Sequence, residues 1–219
     1  MRITRLLDLS QDIYHNCPMA PNLSPPEIKL DAIGGRDGWT NEIITMPLHT
    51  GTHMDAPAHI GGLDLTLDQI SIERFQGNMV FIPLTKKPAE PIFVSDLEPY
   101  QDRFHPESIV LLYTGWGEKR GWTKEWLFEI PYVSLEAARY LAEQRINGLG
   151  IDHYSIGGCG DDNHEIHRVL LGANIWIAEG LQLDAPELRT GDWHVMSLPI
   201  KVKDSSGAPC RTIALQYGV

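Results

Sequence analysis

The sequence predicts an α/β fold, α+β-like because strands and helices do not alternate strictly, built around a mixed sheet. Three observations lead there. Runs of strand length recur at 3–9, 41–48, 78–84, 108–114, 149–152, 175–179, 193–200 and 212–216. Helical patterns fall between some of them, clearest at 134–146 and 163–172 and shorter at 66–73 and 94–101. The chain has 219 residues, 42% of them hydrophobic, which is enough to bury a core without covalent staples, and the length favours one domain spanning 1–219.

Each element has a local reason. The first strand ends near Ser10. Residues 15–40 are rich in Pro, Gly and Asn and read as a long surface loop, of the kind that serves as a binding element or lid. Pro47 ends the strand at 41–48, and the loop 49–62 follows at once. The run at 78–84 is a buried strand. Ser95 can cap a helix ahead of Asp96 and Glu98. The strand at 108–114 is broken by Gly115-Trp116-Gly117. Ser134 caps the helix at 134–146, Ala137, Ala138, Leu141 and Ala142 form its apolar face, and Gly148 suits its C-terminus. A Gly-rich loop at 157–160 precedes the helix at 163–172.

Composition narrows the function. Eighteen basic residues against 29 acidic give a formal net charge of -11, which repels nucleic acid and anionic membrane surfaces. No stretch approaches the roughly 20 apolar residues that span a bilayer, and no apolar signal segment opens the chain, so the cytoplasm is expected. The cysteines, Cys17, Cys159 and Cys210, are odd in number and lack a Cys-x-x-Cys, which argues against a disulfide framework and a thiolate zinc site. A serine or cysteine hydrolase lacks its Gly-x-Ser-x-Gly elbow and would need chelator-resistant activity.

The chemistry concentrates in His49-Thr50-Gly51-Thr52-His53-Met54-Asp55-Ala56-Pro57-Ala58-His59. Gly51 and Pro57 argue against a helix, so the segment is expected to curl its side chains around a point as a loop. Imidazole and carboxylate together suit a borderline divalent ion such as Zn²⁺ or Mn²⁺. A buried polar network without metal is the alternative. Thr50 and Thr52 are candidates to orient the imidazoles, or ordinary loop hydrogen bonders. A second cluster, Asp161-Asp162-Asn163-His164-Glu165-Ile166-His167, fits a solvated helix start, which accounts for His164. Glu179 ends the apolar run Ile175–Ala178, where an acid is costly unless paired or metal-bound, and so draws His167 and Glu179 into the site. Trp116 and Trp122 are candidates for the substrate pocket, against the ordinary reading of Trp as packing.

These residues resemble the cyclase/bacterial kynurenine formamidase (arylformamidase) family of metal-dependent hydrolases. The family signature His-x-Gly-[Thr/Ala]-His-x-Asp-x-Pro-x-His runs intact from His49 to His59. His167-Arg168-Val169-Leu170-Leu171, Glu179-Gly180-Leu181 and Gly150-Ile151-Asp152 with Ser155 also follow its pattern, so the likeness runs from about residue 5 to the C-terminus. It implies one swivelling β/β/α domain in a homo-oligomer, a dimer or a dimer of dimers. It also implies one or two divalent ions, Zn or Mn. His49, His53 and Asp55 would hold the first and His167 the second, with Asp55 and Glu179 shared or bridging and His59 the general acid/base. The implied activity is hydrolysis of a small amide, lactam or ester, with an arylformamide such as N-formylkynurenine, in tryptophan catabolism, as the specific guess. Isatin-like lactams or lactones, and a non-catalytic metal-binding protein, are the alternatives. In two places the chain departs from the pattern. Within Pro18-Met19-Ala20-Pro21-Asn22, Ala20 stands where relatives carry a substrate-stacking Trp, and Ile156-Gly157-Gly158-Cys159 follows Ser155 where an Asp is frequent.

Overall fold

Ile109, Val110, Leu111 and Leu112 are each at most 1% exposed, so the strand they form is covered on both faces. Side chains alternate along a strand, and here Ile109 and Leu111 enter one hydrophobic cluster while Val110 and Leu112 enter another. The sheet therefore divides two cores. In the computed structural model, which describes residues 2–218, the strands are β1 (Arg2–Asp8), β2 (Glu27–Ala32), β3 (Asn41–Thr45), β4 (His53–Asp55), β5 (Gln76–Pro83), β6 (Pro91–Ile92), β7 (Ser108–Tyr113), β8 (Tyr132–Val133), β9 (Gly148–Ile151), β10 (Trp176–Glu179), β11 (His194–Pro199) and β12 (Gly207–Gly218). The helices are α1 (Gly34–Asp37), α2 (Val94–Leu97), α3 (Lys124–Phe128), α4 (Leu135–Gln144) and α5 (Asn163–Gly172).

The main sheet has eight strands in the order β1-β12-β11-β5-β7-β9-β10-β4. Its centre, β5, β7, β9 and β10, is parallel, and the flanking pairs are antiparallel. The expected mixed α/β architecture is thus present. The start of β12 also pairs with β4, so the strand path returns on itself. Ala137, Ala138 and Leu141 of α4 and Ile166, Leu170 and Leu171 of α5 cover one face. Among the described residues no helix is long and apolar enough to cross a membrane.

Several elements differ from the local reading. Residues 15–40 are not all loop: β2 pairs with β3 as an exposed two-stranded arm carrying Leu30, Ile43 and Ile44. The His49–His59 segment contains β4 and a 3-10 turn, Pro57–His59, where a continuous loop was expected. At 66–73 there are two 3-10 turns, Leu67–Gln69 and Ile72–Phe75, instead of an α-helix. Phe93 and not Ser95 occupies the N-cap of α2, and Pro99, which lacks a backbone donor, opens the 3-10 turn that follows. Ser134 caps α4 as expected, its Oγ accepting from the Ala137 amide. The helix ends at Arg145 in the left-handed region, and Gly148 instead opens β9.

Asp152, just past β9, ties down the turn after β7. One carboxylate oxygen accepts from the Thr114 and Gly115 amides at 3.0 and 2.8 Å, and the other from the Thr114 hydroxyl at 2.5 Å. Burial pushes this carboxyl up to about 6, against the pull of those donors. A folded pKa above the unfolded value of 3.8 means that folding favours the protonated form. The resulting stabilisation is present below about pH 4 and is lost as pH rises through about 6. Asp152→Asn can keep the same contacts, because its amide oxygen accepts the two N–H groups and its amide donates to a reversed Thr114 hydroxyl. Relative to wild type, the variant should gain about 2 kcal/mol between pH 4 and pH 7. Urea unfolding at both pH values measures this, and a difference independent of pH would refute it.

Candidate functional site

β4 builds the site through strand periodicity. His53 and Asp55, two residues apart, share one face, while Met54 points to the other and is fully buried in the core. β4 pairs antiparallel with β10, and Glu179 is the direct cross-strand partner of His53. α5 immediately precedes β10 and brings His167 from its buried face to the same point. The His53 Nε2 atom lies 3.6 Å from Asp55 Oδ1 and 3.4 Å from Glu179 Oε2. The His167 Nε2 atom lies 3.2 Å from Glu179 Oε1 and 3.8 Å from Asp55 Oδ2. His49 places Nδ1 2.7 Å from Asp55 Oδ1 and Nε2 3.1 Å from the Ser206 hydroxyl.

Two glycines make this approach possible. Gly180 has φ +67°, and a Cβ there would lie 2.4 Å from the Gly51 carbonyl oxygen, so the end of β10 can pass the His49–His53 turn only without a side chain. At Gly207, opposite Asp55 on β12, a Cβ would lie 2.5 Å from His49 Cε1. Thr50 and Thr52 hold the turn itself: their hydroxyls donate to the Pro47 and Gly180 carbonyls and do not touch the imidazoles.

The ring orientations define the electrostatics. His53 Nδ1 faces the Gly51 carbonyl at 3.0 Å and His167 Nδ1 faces the Asn163 carbonyl at 2.8 Å. A nitrogen facing a carbonyl must carry the hydrogen, so each neutral ring turns a bare Nε2 toward the carboxylates. Asp55 and Glu179 are 0% and 3% exposed, and Asp55 Oδ2 has no hydrogen-bond partner among the described residues. Such a cluster of lone pairs requires positive charge at its centre. Without a cation, protons must supply it. Burial pushes His53 and His167 down, but Glu179 and Asp55 outweigh it and raise both to about 9. Burial and Asp55 push Glu179 up, while His167 and His53 more than reverse this and hold it at about 2. Asp55 is likewise held below the usual carboxylate range, with the His49 contact overcoming burial. Two sets of donor atoms fall within 4.8 Å of one another, His49-Asp55-His59 and His53-Asp55-Glu179, and Asp55 belongs to both. Imidazole nitrogen with carboxylate oxygen is a donor set suited to Zn²⁺ or Mn²⁺. The residues fit a divalent cation.

The six residues read from the sequence as the site, His49, His53, Asp55, His59, His167 and Glu179, come together. The His59 ring sits 4.2 Å from that of His49 and 5.8 Å from that of His167, centroid to centroid. Desolvation pulls His59 below its ordinary value, partly opposed by Asp55, which keeps the ring neutral near pH 7. His164 is exposed, as a solvated helix start requires.

A cavity of about 400 Å³ opens beside the cluster. Neither Trp116 nor Trp122 lines it. Trp116 is buried against Trp126 and Ile130, and Trp122 lies outside, its indole donating to the Asn16 carbonyl. The expectation that one of them faces substrate is corrected by this packing. The walls instead include Ala20, Leu23, Phe128, Tyr154, Cys159 and Asn163. Of these, Ala20 and Cys159 lie in stretches that the sequence marks as departures from a pattern, and Asn163 belongs to the second polar cluster, whereas Leu23, Phe128 and Tyr154 carry no such mark. Phe128 sits on a five-residue helix too short to leave a periodic signal.

The chain is similar to proteins named kynurenine formamidase. The one from Bacillus cereus is 28% identical over 220 residues, covering 97% of this chain and 98% of the relative. The one from Geobacillus thermodenitrificans is 28% identical over 215 residues, with the same coverage. Among solved structures, isatin hydrolase A from Labrenzia aggregata superposes with a TM-score of 0.86 at 24% identity, over 96% of this chain and 93% of that one. A predicted metal-dependent hydrolase from Bacillus stearothermophilus gives 0.79 at 27% identity, over 96% and 98%. Residues 7–157, more than half of the sequence, match the family described as "Putative cyclase". With that match and the intact His49–His59 signature, the chain belongs to the Cyclase family.

Proposed function

We propose that this protein is a metal-dependent hydrolase that cleaves the carbon–nitrogen bond of a small amide, with an aryl formamide as the first substrate class. The observation that carries this reading is the buried convergence of the His53 and His167 Nε2 atoms on Asp55 and Glu179, with Asp55 Oδ2 unpartnered among the described residues, at the edge of a cavity of substrate size. The relatives named kynurenine formamidase support the choice of bond.

In this reading His49, His53, Asp55, His167 and Glu179 hold one or two divalent ions, zinc or manganese. When bound, such an ion supplies Lewis acidity, lowering the pKa of water from ~15.7 to about 7 and polarising a carbonyl oxygen. The Gly51 and Asn163 carbonyls fix the His53 and His167 tautomers, so both rings present Nε2 to the centre. The Ile156 amide donates to Glu179 Oε1 at 2.6 Å and holds that carboxylate ionised in place. His59, neutral and at the cavity, accepts a proton from the attacking water and returns it to the leaving nitrogen as the C–N bond breaks. Water is consumed, and an acid and an amine are released.

The test measures metal per chain and hydrolysis of formanilide and N-formylkynurenine, before chelation, after it, and after zinc or manganese is restored. Turnover should fall to background on chelation and return with the ion. Activity that survives chelation points to a serine or cysteine hydrolase, and failure to bind any divalent ion overturns the reading.

A further inference from the structure

We propose that the cavity selects an uncharged substrate bearing a flat apolar ring, and that Phe128 is the specificity-determining residue against which the ring lies. The inference rests on the hydrolase reading and narrows its substrate class.

Phe128 is 52% exposed although it belongs to a helix whose other anchors are firm. Trp126, two residues earlier, is 2% exposed and stacks edge-on against Tyr154 at 5.1 Å. The Thr123 hydroxyl caps the helix at the Trp126 amide. The Tyr154 hydroxyl donates to the Leu127 carbonyl. These contacts leave α3 little freedom to turn Phe128 away from the cavity it lines. An aromatic face held open at a cavity wall gains from a second ring laid on it. Ala20, Pro21 and Leu23 add further apolar surface and leave room where a larger side chain would intrude.

The charge inventory sets the second half of the inference. Among the described residues lining the cavity there is no Lys or Arg. The polar groups beyond the ionisable cluster are neutral, chiefly Asn22, Ser155 and Asn163. Arg120 does not line the cavity but a small adjoining void that shares Ala20, His49, His53 and Tyr154 with it, and its guanidinium is taken up by the Asp12 and Pro18 carbonyls. Arg168 is bonded to the Gly61 carbonyl. A carboxylate on the non-reacting end of a substrate would lose its water without a cationic partner, near Asp55 and Glu179. Neutral amide and hydroxyl groups match an uncharged carbonyl or amide.

Three formamides separate the parts of this proposal: formanilide, 2-formamidobenzoate, which adds one carboxylate to the same ring, and N-butylformamide, which has no ring. On the metal-loaded protein, kcat/KM for formanilide should exceed that for 2-formamidobenzoate by about tenfold or more. Phe128→Ala should raise KM for formanilide about tenfold, with kcat within about threefold, and leave KM for N-butylformamide unchanged. Phe128→Trp should keep the wild-type KM. Calorimetric binding of acetanilide to the same three proteins gives a readout independent of turnover, expected to weaken about tenfold in the alanine variant alone. If no formamide is hydrolysed but acetanilide binding follows Phe128, the choice of formamide as the substrate fails while the assignment of Phe128 as the ring-binding residue stands. Preference for 2-formamidobenzoate overturns it, as does unchanged KM and acetanilide binding in Phe128→Ala. A change in solution mass of that variant also overturns it, by assigning Phe128 to a contact between chains.

Discussion

Asp55→Ala is expected to lose the divalent ion and turnover together. Asp55 is fully buried, belongs to both donor sets, and approaches His49, His53 and His167. No other side chain on the described structure can take its place, because its position opposite Ile177 and Gly207 is set by pairing with β10 on one side and β12 on the other. Losing a group that only orients a ligand typically costs 10–100-fold in affinity, so losing this carboxylate should exceed about a hundredfold. Metal content after exhaustive dialysis is the direct measurement, with circular dichroism to confirm the fold. Asp55→Asn keeps the volume and should show the same loss, which separates charge from packing. An alanine variant that retains the ion and full activity would sink the proposed site.

His59→Ala should behave in the opposite way with respect to metal. His59 lies on the 3-10 turn after β4, is exposed to the cavity and is kept neutral near pH 7. Those are the properties of a group that relays a proton. The variant is expected to retain its ion while kcat falls by about 10²–10⁴-fold, with KM changed little. The geometry also supplies the competing outcome. A His59 nitrogen lies within 4.8 Å of donor atoms of His49 and Asp55, so loss of metal from this variant would make His59 a ligand. Metal analysis and steady-state kinetics on the same preparation decide between the two roles.

Much of this site is visible without coordinates because its signals are local. The spacing of His49, His53, Asp55 and His59 is a property of eleven consecutive residues, and an acid at the end of Ile175-Trp176-Ile177-Ala178 stands out in any apolar run. The strand at 108–114 and the helices at 134–146 and 163–172 are also locally encoded, by unbroken apolar runs or a 3.6-residue period, and the structure contains all three close to the expected bounds. Where competing local preferences were weak, the reading failed. β4 has only three residues and sits between Gly51 and Pro57, so nothing in its own sequence marks it as a strand. It is one because β10 and β12 satisfy its backbone. β3 falls within the strand expected at 41–48, but its partner β2 was hidden for a similar reason, among Pro, Gly and Asn residues that look like loop.

Local pattern alone therefore specified the donor types, the class of fold and the central buried strands, since composition and periodicity act over a few residues. Which donors meet was settled by pairing between segments far apart in the chain. His53 faces Glu179 only because β4 lies antiparallel to β10, and the Nε2 atoms point inward only because the Gly51 and Asn163 carbonyls claim the other nitrogens. The same is true of the cavity wall. Trp116 and Trp122 are the more conspicuous aromatics in the sequence, yet Phe128 lines the cavity because Trp126 and Tyr154 anchor its helix there. A side chain's chemistry is carried by its residue type, but its neighbours are chosen by long-range closure and packing of the whole chain.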